Sequence, residues 1–95
     1  MLVVCTDSDR RELMEVLIEE KVMHQVAKPR SVREEGTGSY ELFTIQANLP
    51  EVTVPPEFRQ SEGDVRAFRL PSGRLIITDL EGNLEQIASP MPRPA

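Results

Sequence analysis

The N-terminal part of the chain constrains the fold most, because a short apolar strand is followed there directly by the clearest amphipathic helix of the sequence. The run from Leu2 to Cys5 is apolar and rich in valine, which is typical of a buried strand. Helix-capping residues follow it, and Thr6 lies three residues before Asp9, the spacing of a capping box. From residue 8 to residue 21 the apolar side chains recur with a helical period, and the charged ones fall on the opposite face. We therefore predict a strand followed by one amphipathic helix.

Beyond the helix the apolar residues alternate along the chain, which predicts strands. We expect strands at residues 22–27, 40–47, 51–54, 65–70, 74–80 and 84–87. The segment 30–39 is charged and contains Gly36 and Gly38, and we expect a mobile loop or hairpin tip there. The order β-α-β-loop-β followed by a β-meander predicts an α+β fold, in which the helix packs on a mostly antiparallel sheet. Its strand–helix–strand beginning resembles the first half of a ferredoxin-like domain.

Length and composition predict one small domain with a lean core. The 95 residues fit a single domain, which we assign to residues 1–88. The segment 89–95 contains three prolines and is expected to be a disordered tail. Apolar residues make up 39% of the chain and aromatic residues 4%, which is low for a globular protein. Part of the apolar surface is therefore expected to be completed by a partner, most simply by a second copy in a homo-oligomer.

Charge and cysteine content limit the classes of partner and compartment. The net charge of −5 argues against a protein whose affinity comes mainly from phosphates, because phosphate binding needs Lys and Arg to displace counterions. The single cysteine, Cys5, excludes an intrachain disulfide and is expected to be a small buried side chain. The first residues lack the pattern of a signal peptide, and no apolar run approaches the roughly 20 residues of a membrane span. We expect a cytoplasmic protein with no membrane contact, no cofactor and no metal.

The leading functional hypothesis is a small non-enzymatic protein-interaction or regulatory module that self-associates. A long charged segment next to an apolar strand is the feature that favours it, since such segments reach partners without contributing to a core. The candidate contact residues in this segment and at the start of the next strand are Arg30, Arg33, Glu34, Glu35 and Tyr40.

A second hypothesis concerns a group of arginines in the C-terminal half, namely Arg59, Arg66, Arg69 and Arg74. The order of features from Val52 to Ile77 is a strand closed by prolines, then Phe58 and Arg59, then a glycine-bounded hairpin. This order resembles the AbrB-type swapped-hairpin DNA-binding module, although the segment between Arg59 and Gly63 is shorter than the helical turn of that family. The resemblance implies nucleic-acid contact by these arginines. The alternative is an exposed strand face on which the arginines pair with Glu62 or Asp79.

A third hypothesis is a small metal-dependent nuclease that uses Asp7 and Asp9. Carboxylates directly after a buried strand are a common place to hold Mg²⁺. The same two residues also suit the start of a helix, where negative charge is favourable and polar side chains cap the free amides. We favour the capping interpretation because the sequence supplies no third ligand nearby.

Overall fold

The computed structural model describes residues 1–36, 38–58 and 64–89. Within these ranges the chain forms one α-helix and two antiparallel sheets, which confirms the α+β class. The elements are β1 (Leu2–Cys5), α1 (Asp7–Glu19), β2 (His24–Val26), β3 (Arg30–Glu34), β4 (Gly38–Ala47), β5 (Glu51–Val52), a 3₁₀ turn (Pro56–Phe58), β6 (Val65–Arg69), β7 (Leu75–Asp79) and β8 (Leu84–Ala88).

Helix α1 is defined by a polar cap at its start and a left-handed residue at its end. The hydroxyl of Thr6 accepts a hydrogen bond from the backbone N–H of Asp9 at 3.5 Å, as the capping-box spacing predicts. At the C-terminus Lys21 has a φ of 58°, and the N–H of Val22 donates to the carbonyl of Leu17 at 2.8 Å. This is the Schellman arrangement, with lysine in the position where glycine is usual. The helix therefore ends at Glu19, two residues before the predicted Lys21.

The first sheet is built around β4. Strand β1 pairs with β4 from Phe43 to Gln46, β2 pairs with it from Ile45 to Ala47, and β3 pairs with its N-terminal part. Since β1 and β2 both run antiparallel to β4 and lie on opposite sides of it, they are parallel to each other. Strand β1, helix α1 and β2 thus form a split β-α-β unit, which confirms the ferredoxin-like beginning.

The second sheet is the predicted meander, with strand order β5-β6-β7-β8. The turn between β6 and β7 has Gly73 at a φ of 99°, a value that favours glycine. The turn between β7 and β8 lies against β1, where the N–H of Val4 donates to the carbonyl of Gly82 at 2.8 Å. A Cβ on Gly82 would lie 3.0 Å from the carbonyl oxygen of Leu2, so a side chain there would crowd β1. This contact joins the two sheets.

One hydrophobic cluster fills the space between α1 and the two sheets. Its members come from the helix, from both sheets and from the connection after β4, so the two sheets share a core. The buried residues of the cluster are Val3, Cys5, Leu13, Val16, Leu17, Ile45, Ala47, Leu49, Phe68, Leu70 and Ile76.

Three expectations need correction. At 30–39 we expected a mobile loop or hairpin tip; the structure has a paired strand at 30–34 and a turn at residues 35–36. The strand was not predicted because Val32 is its one apolar residue. The single expected sheet is two sheets. The strand expected at 51–54 is only Glu51–Val52, since Pro55 and Pro56 follow closely and cannot donate to a ladder. Of the expected tail at 89–95, Ser89 is exposed and the rest lies outside the described residues.

Candidate functional site

The most distinctive surface is a two-stranded ribbon formed by β3 and the first half of β4. We call residues 30–36 and 38–42 the arm. Its register pairs Arg30 with Leu42, Val32 with Tyr40 and Glu34 with Gly38. Among its described residues, Val32 and Leu42 are half-buried and all others are exposed. The arm therefore extends from the domain without a buried side chain of its own.

All five candidate contact residues lie on the arm, and the strand geometry distributes them over both of its faces. Successive strand residues point to opposite faces, so Arg30, Val32 and Glu34 share one face with their partners Tyr40 and Leu42. The other face carries Arg33 and Glu41 among serines, and Glu35 lies in the turn.

Both signs of charge are exposed on the arm. Neither Arg30 nor Arg33 forms an ion pair within the part of the chain that the structure describes. Glu34 takes part in an interaction within its own chain. The arm thus presents guanidinium groups in water and the exposed Tyr40 ring, and arginine and tyrosine are residue types enriched at protein interfaces. The carboxylates beside them are not enriched there and instead supply charges that a partner can pair with.

The outer edge of β3 is open. Strand β3 pairs with β4 on one side, and within residues 1–36, 38–58 and 64–89 no strand pairs with it on the other side. An unpaired edge presents backbone N–H and C=O groups to solvent, and another strand can add to them. The arm therefore offers a backbone surface as well as side chains.

The arginine group of the C-terminal half is divided by the structure. Arg66 donates from Nε and Nη2 to the carboxylate of Glu51 at 3.1 and 2.7 Å, and its guanidinium lies 5.2 Å from the centre of the Phe68 ring. The hydrogen bonds from Arg66 lower the pKa of Glu51. Arg69 is exposed, and Arg59 lies outside the described residues. The Arg66 side chain is paired as expected, and its partner among the described residues is Glu51 on β5. The Asp79 carboxylate accepts from Asn83 instead, and Glu62 lies outside the described residues.

Arg74 belongs to a network that connects the end of α1 to the β6–β7 turn. The Glu20 side chain is only 5% exposed, and its carboxylate accepts from the N–H and the hydroxyl of Ser72 at 2.8 and 2.9 Å. Arg74 Nε donates to the same carboxylate at 2.7 Å. Burial raises the pKa of Glu20, but the hydrogen bonds from Ser72 and Arg74 outweigh it and leave the pKa lowered. The role of Glu20 has no signal in the local sequence, because its partners lie more than 50 residues away along the chain.

Asp7 and Asp9 form the start of the helix. The Asp7 carboxylate accepts from Arg10 Nε at 3.0 Å and lies 3.2 Å from the guanidinium of Arg11. The hydrogen bond from Arg10 lowers the pKa of Asp7. In the described part of the chain no three His, Cys, Asp or Glu side chains come together as a metal site. Cys5, at the end of β1, is buried, and burial raises the pKa of its thiol to about 11.

The chain has no detectable similarity to known protein families, proteins or structures. No protein-family model matches the chain, and no curated protein or solved structure is significantly similar to it. Among the described residues, the one α-helix is too short and too polar to cross a bilayer. Function is therefore inferred from the arm and its surroundings.

Proposed function

We propose that this chain is a small non-enzymatic protein-interaction module of the cytoplasm, and that it binds protein partners and a second copy of itself through the arm. The observation that carries the proposal is the exposure of the whole arm: it is a regular paired ribbon, yet none of its described residues is buried. The expectation of self-association and the five contact residues come from the sequence, and all five residues lie within the arm.

A physical argument connects this exposure to binding. An isolated two-stranded hairpin is only marginally stable in water, because fixing each backbone residue costs about 1–2 kcal/mol of conformational entropy. In the arm, burial offsets little of this cost within one chain. A partner that covers Val32, Tyr40 and Leu42 would remove apolar surface from water and stabilise the ribbon. Tyr40 is 40% exposed and has the largest side chain of these three residues.

Charge favours a protein partner over nucleic acid. Arg66 and Arg74 already bind carboxylates of their own chain, so contact with phosphates would require them to leave Glu51 and Glu20. Of the four arginines of the nucleic-acid hypothesis, Arg69 is exposed and without an ion pair among the described residues. Arg59 lies outside the described residues. In a chain of net charge −5, the single such arginine of the described part gives little electrostatic affinity for a polyanion.

The double substitution Val32→Ser, Tyr40→Ser tests the proposal. We expect at least a tenfold weaker retention of partners, since about 1.4 kcal/mol of lost apolar contact corresponds to a factor of ten. The measurement is a pull-down with the immobilised chain, from cell extract and from a solution of its own untagged copy. The free energy of unfolding should change little, because neither side chain is buried.

Leu80→Ser is the matched control, because Leu80 is 59% exposed and lies after β7, outside the arm. Retention that is unchanged by Leu80→Ser and reduced by the arm substitutions supports the proposal. Equal retention by all three proteins, or no specific retention by the wild type, contradicts it.

A further inference from the structure

We infer that the partner of the arm is a second copy of this chain, and that the two β3 edges pair antiparallel about a two-fold axis at Val32. This inference rests on the proposed function and gives it a specific geometry. Two marginal two-stranded arms would become one four-stranded sheet, which has the strand number that stabilises sheets in water. The interface would be isologous, with the same residues on both sides.

The order of residues in β3 is complementary to itself. Read antiparallel against a second copy with Val32 at the centre, Arg30 lies opposite Glu34 at both ends of the contact, and Ser31 lies opposite Arg33. Opposite charges that face each other across strands are stabilising, and like charges directly opposite are destabilising. In this pairing no like charges face each other.

Neighbouring registers lack this complementarity. A two-fold axis perpendicular to the joined sheet keeps each side chain on the same face in both copies. One strand can therefore slide along the other only in steps of two residues, which moves the axis by one residue. Moving the axis toward the tip of the arm places Arg33 directly opposite Arg33 of the second copy. Moving the axis toward Arg30 places Ser31 opposite Ser31 of the second copy, and Arg33 and Glu34 then have no β3 residue opposite them. The pairing centred on Val32 is the register that the charges select.

Side chains on β4 extend the match over both faces of the joined sheet. On one face, Tyr40 lies beside Val32, so the central row reads Tyr40–Val32–Val32–Tyr40 across the two copies and is apolar throughout. On the other face, Ser31 lies beside Glu41. The Arg33 side chain of the second copy can reach over this small serine to the Glu41 carboxylate, because adjacent strands are about 4.8 Å apart.

The state of the charged groups is compatible with this contact. Arg30 has no ion pair within the described residues, so its guanidinium can bind a new carboxylate without leaving one. Glu34 has an interaction within its own chain, but a carboxylate accepts about four hydrogen bonds. An edge meant to repel other strands would carry one sign of charge or an inward-pointing lysine. β3 carries both signs in an order that matches its own reverse.

Charge reversal tests the pairing at its ends. We expect Arg30→Glu alone and Glu34→Arg alone to weaken dimerisation at least about tenfold, since each converts two attractive cross-strand pairs into two repulsive ones. An equimolar mixture of the two single variants should form a heterodimer, because both ends of the contact then place an acidic side chain of one variant opposite a basic side chain of the other. Sedimentation velocity measures all of these species. Arg69→Glu, an exposed reversal outside the arm, is the control and should leave the dimer unchanged.

A cysteine at the two-fold axis tests the register. Antiparallel residues that face each other have Cα atoms about 4.5–5.5 Å apart, which is within the range of a disulfide. We expect Val32→Cys to form a covalent dimer in mild oxidant, and the exposed control Thr53→Cys to stay largely monomeric. The native Cys5 should not interfere, because it is buried and burial raises its pKa to about 11.

A monomeric wild type at high concentration would overturn the inference, and so would a dimer in which Val32→Cys does not crosslink and the charge variants do not rescue each other. In either case the pull-down with Val32→Ser, Tyr40→Ser still decides the proposed function by itself. If that variant retained fewer partners than the wild type, the arm would still be a binding surface, but for a different protein.

Discussion

Replacement of Glu20 by alanine is expected to lower the free energy of unfolding by about 2–4 kcal/mol, because the substitution leaves a charged group and two polar donors without their acceptor. The carboxylate is nearly buried and accepts from Ser72 and from Arg74, which is itself only 23% exposed. Without Glu20 the Arg74 guanidinium loses its 2.7 Å contact at the boundary of the core. Urea unfolding followed by circular dichroism measures the change.

Glu19→Ala is the matched control for this prediction. Glu19 is 70% exposed and lies 3.6 Å from Arg74, a distance typical of a weak surface pair. We expect its removal to change stability by less than about 0.5 kcal/mol. If both variants lost a similar amount of stability, any carboxylate near Arg74 would be sufficient, and the hydrogen bonds of the buried Glu20 would not be the cause of the loss.

The same carboxylate predicts a pH dependence. The folded-state pKa of Glu20 is lowered, so its contribution to stability is complete above the pKa of the unfolded chain and is lost as pH falls through the folded pKa. Between about pH 7 and about pH 3 the wild type should therefore lose more stability than Glu20→Gln, whose amide does not titrate in this range. Parallel curves for the two proteins would contradict the assignment.

Replacement of Leu17 by alanine is expected to cost about 2–5 kcal/mol. The Leu17 side chain is fully buried at 0% exposure and belongs to the cluster that α1 shares with both sheets. Its removal leaves a cavity that the surrounding strands can fill only in part. Since small domains have a total stability of about 5–15 kcal/mol, this substitution should lower the melting temperature strongly.

Ile18→Ala is the control for Leu17. Ile18 is the next residue on α1 and is 62% exposed, so we expect a change within about 0.5 kcal/mol. If Ile18→Ala were as destabilising as Leu17→Ala in the monomer, the orientation of α1 on the sheets would be different from the one described. If Ile18→Ala were destabilising only at high protein concentration, the exposed face of α1 would take part in an interface.

The elements that were predicted correctly from the sequence are those with a local physical signal. The cap at Thr6, the helical period that follows it and the glycine turns of the meander each depend on residues close together in the sequence. Strand β3 was missed because strand patterns are recognised by several apolar residues on one face, and Arg30–Glu34 contains only Val32. The polar side chains that hid the strand also leave the arm outside the core, so Val32 and Tyr40 are open to a partner.

The contacts that were not predicted are long-range. The partner of Arg66 is Glu51, and this pair exists because β5 lies beside β6, a neighbour relation that no local pattern reveals. Glu20 meets Ser72 and Arg74 for the same reason, since the β6–β7 turn packs against the end of α1. Division of the strands into two sheets also depends on the pairing of distant segments.

Amide hydrogen exchange of the wild type as a function of its concentration tests most directly the claim that the arm pairs with a second copy. In an antiparallel strand alternate N–H groups point away from the existing partner, so about half of the amides of β3 are open to solvent in the monomer. When the concentration is raised from about 10 μM to about 1 mM, these amides are expected to exchange at least about tenfold more slowly, while the amides of α1 change little. If these β3 amides exchanged fast at both concentrations, the pairing of the arm with a second copy would be wrong.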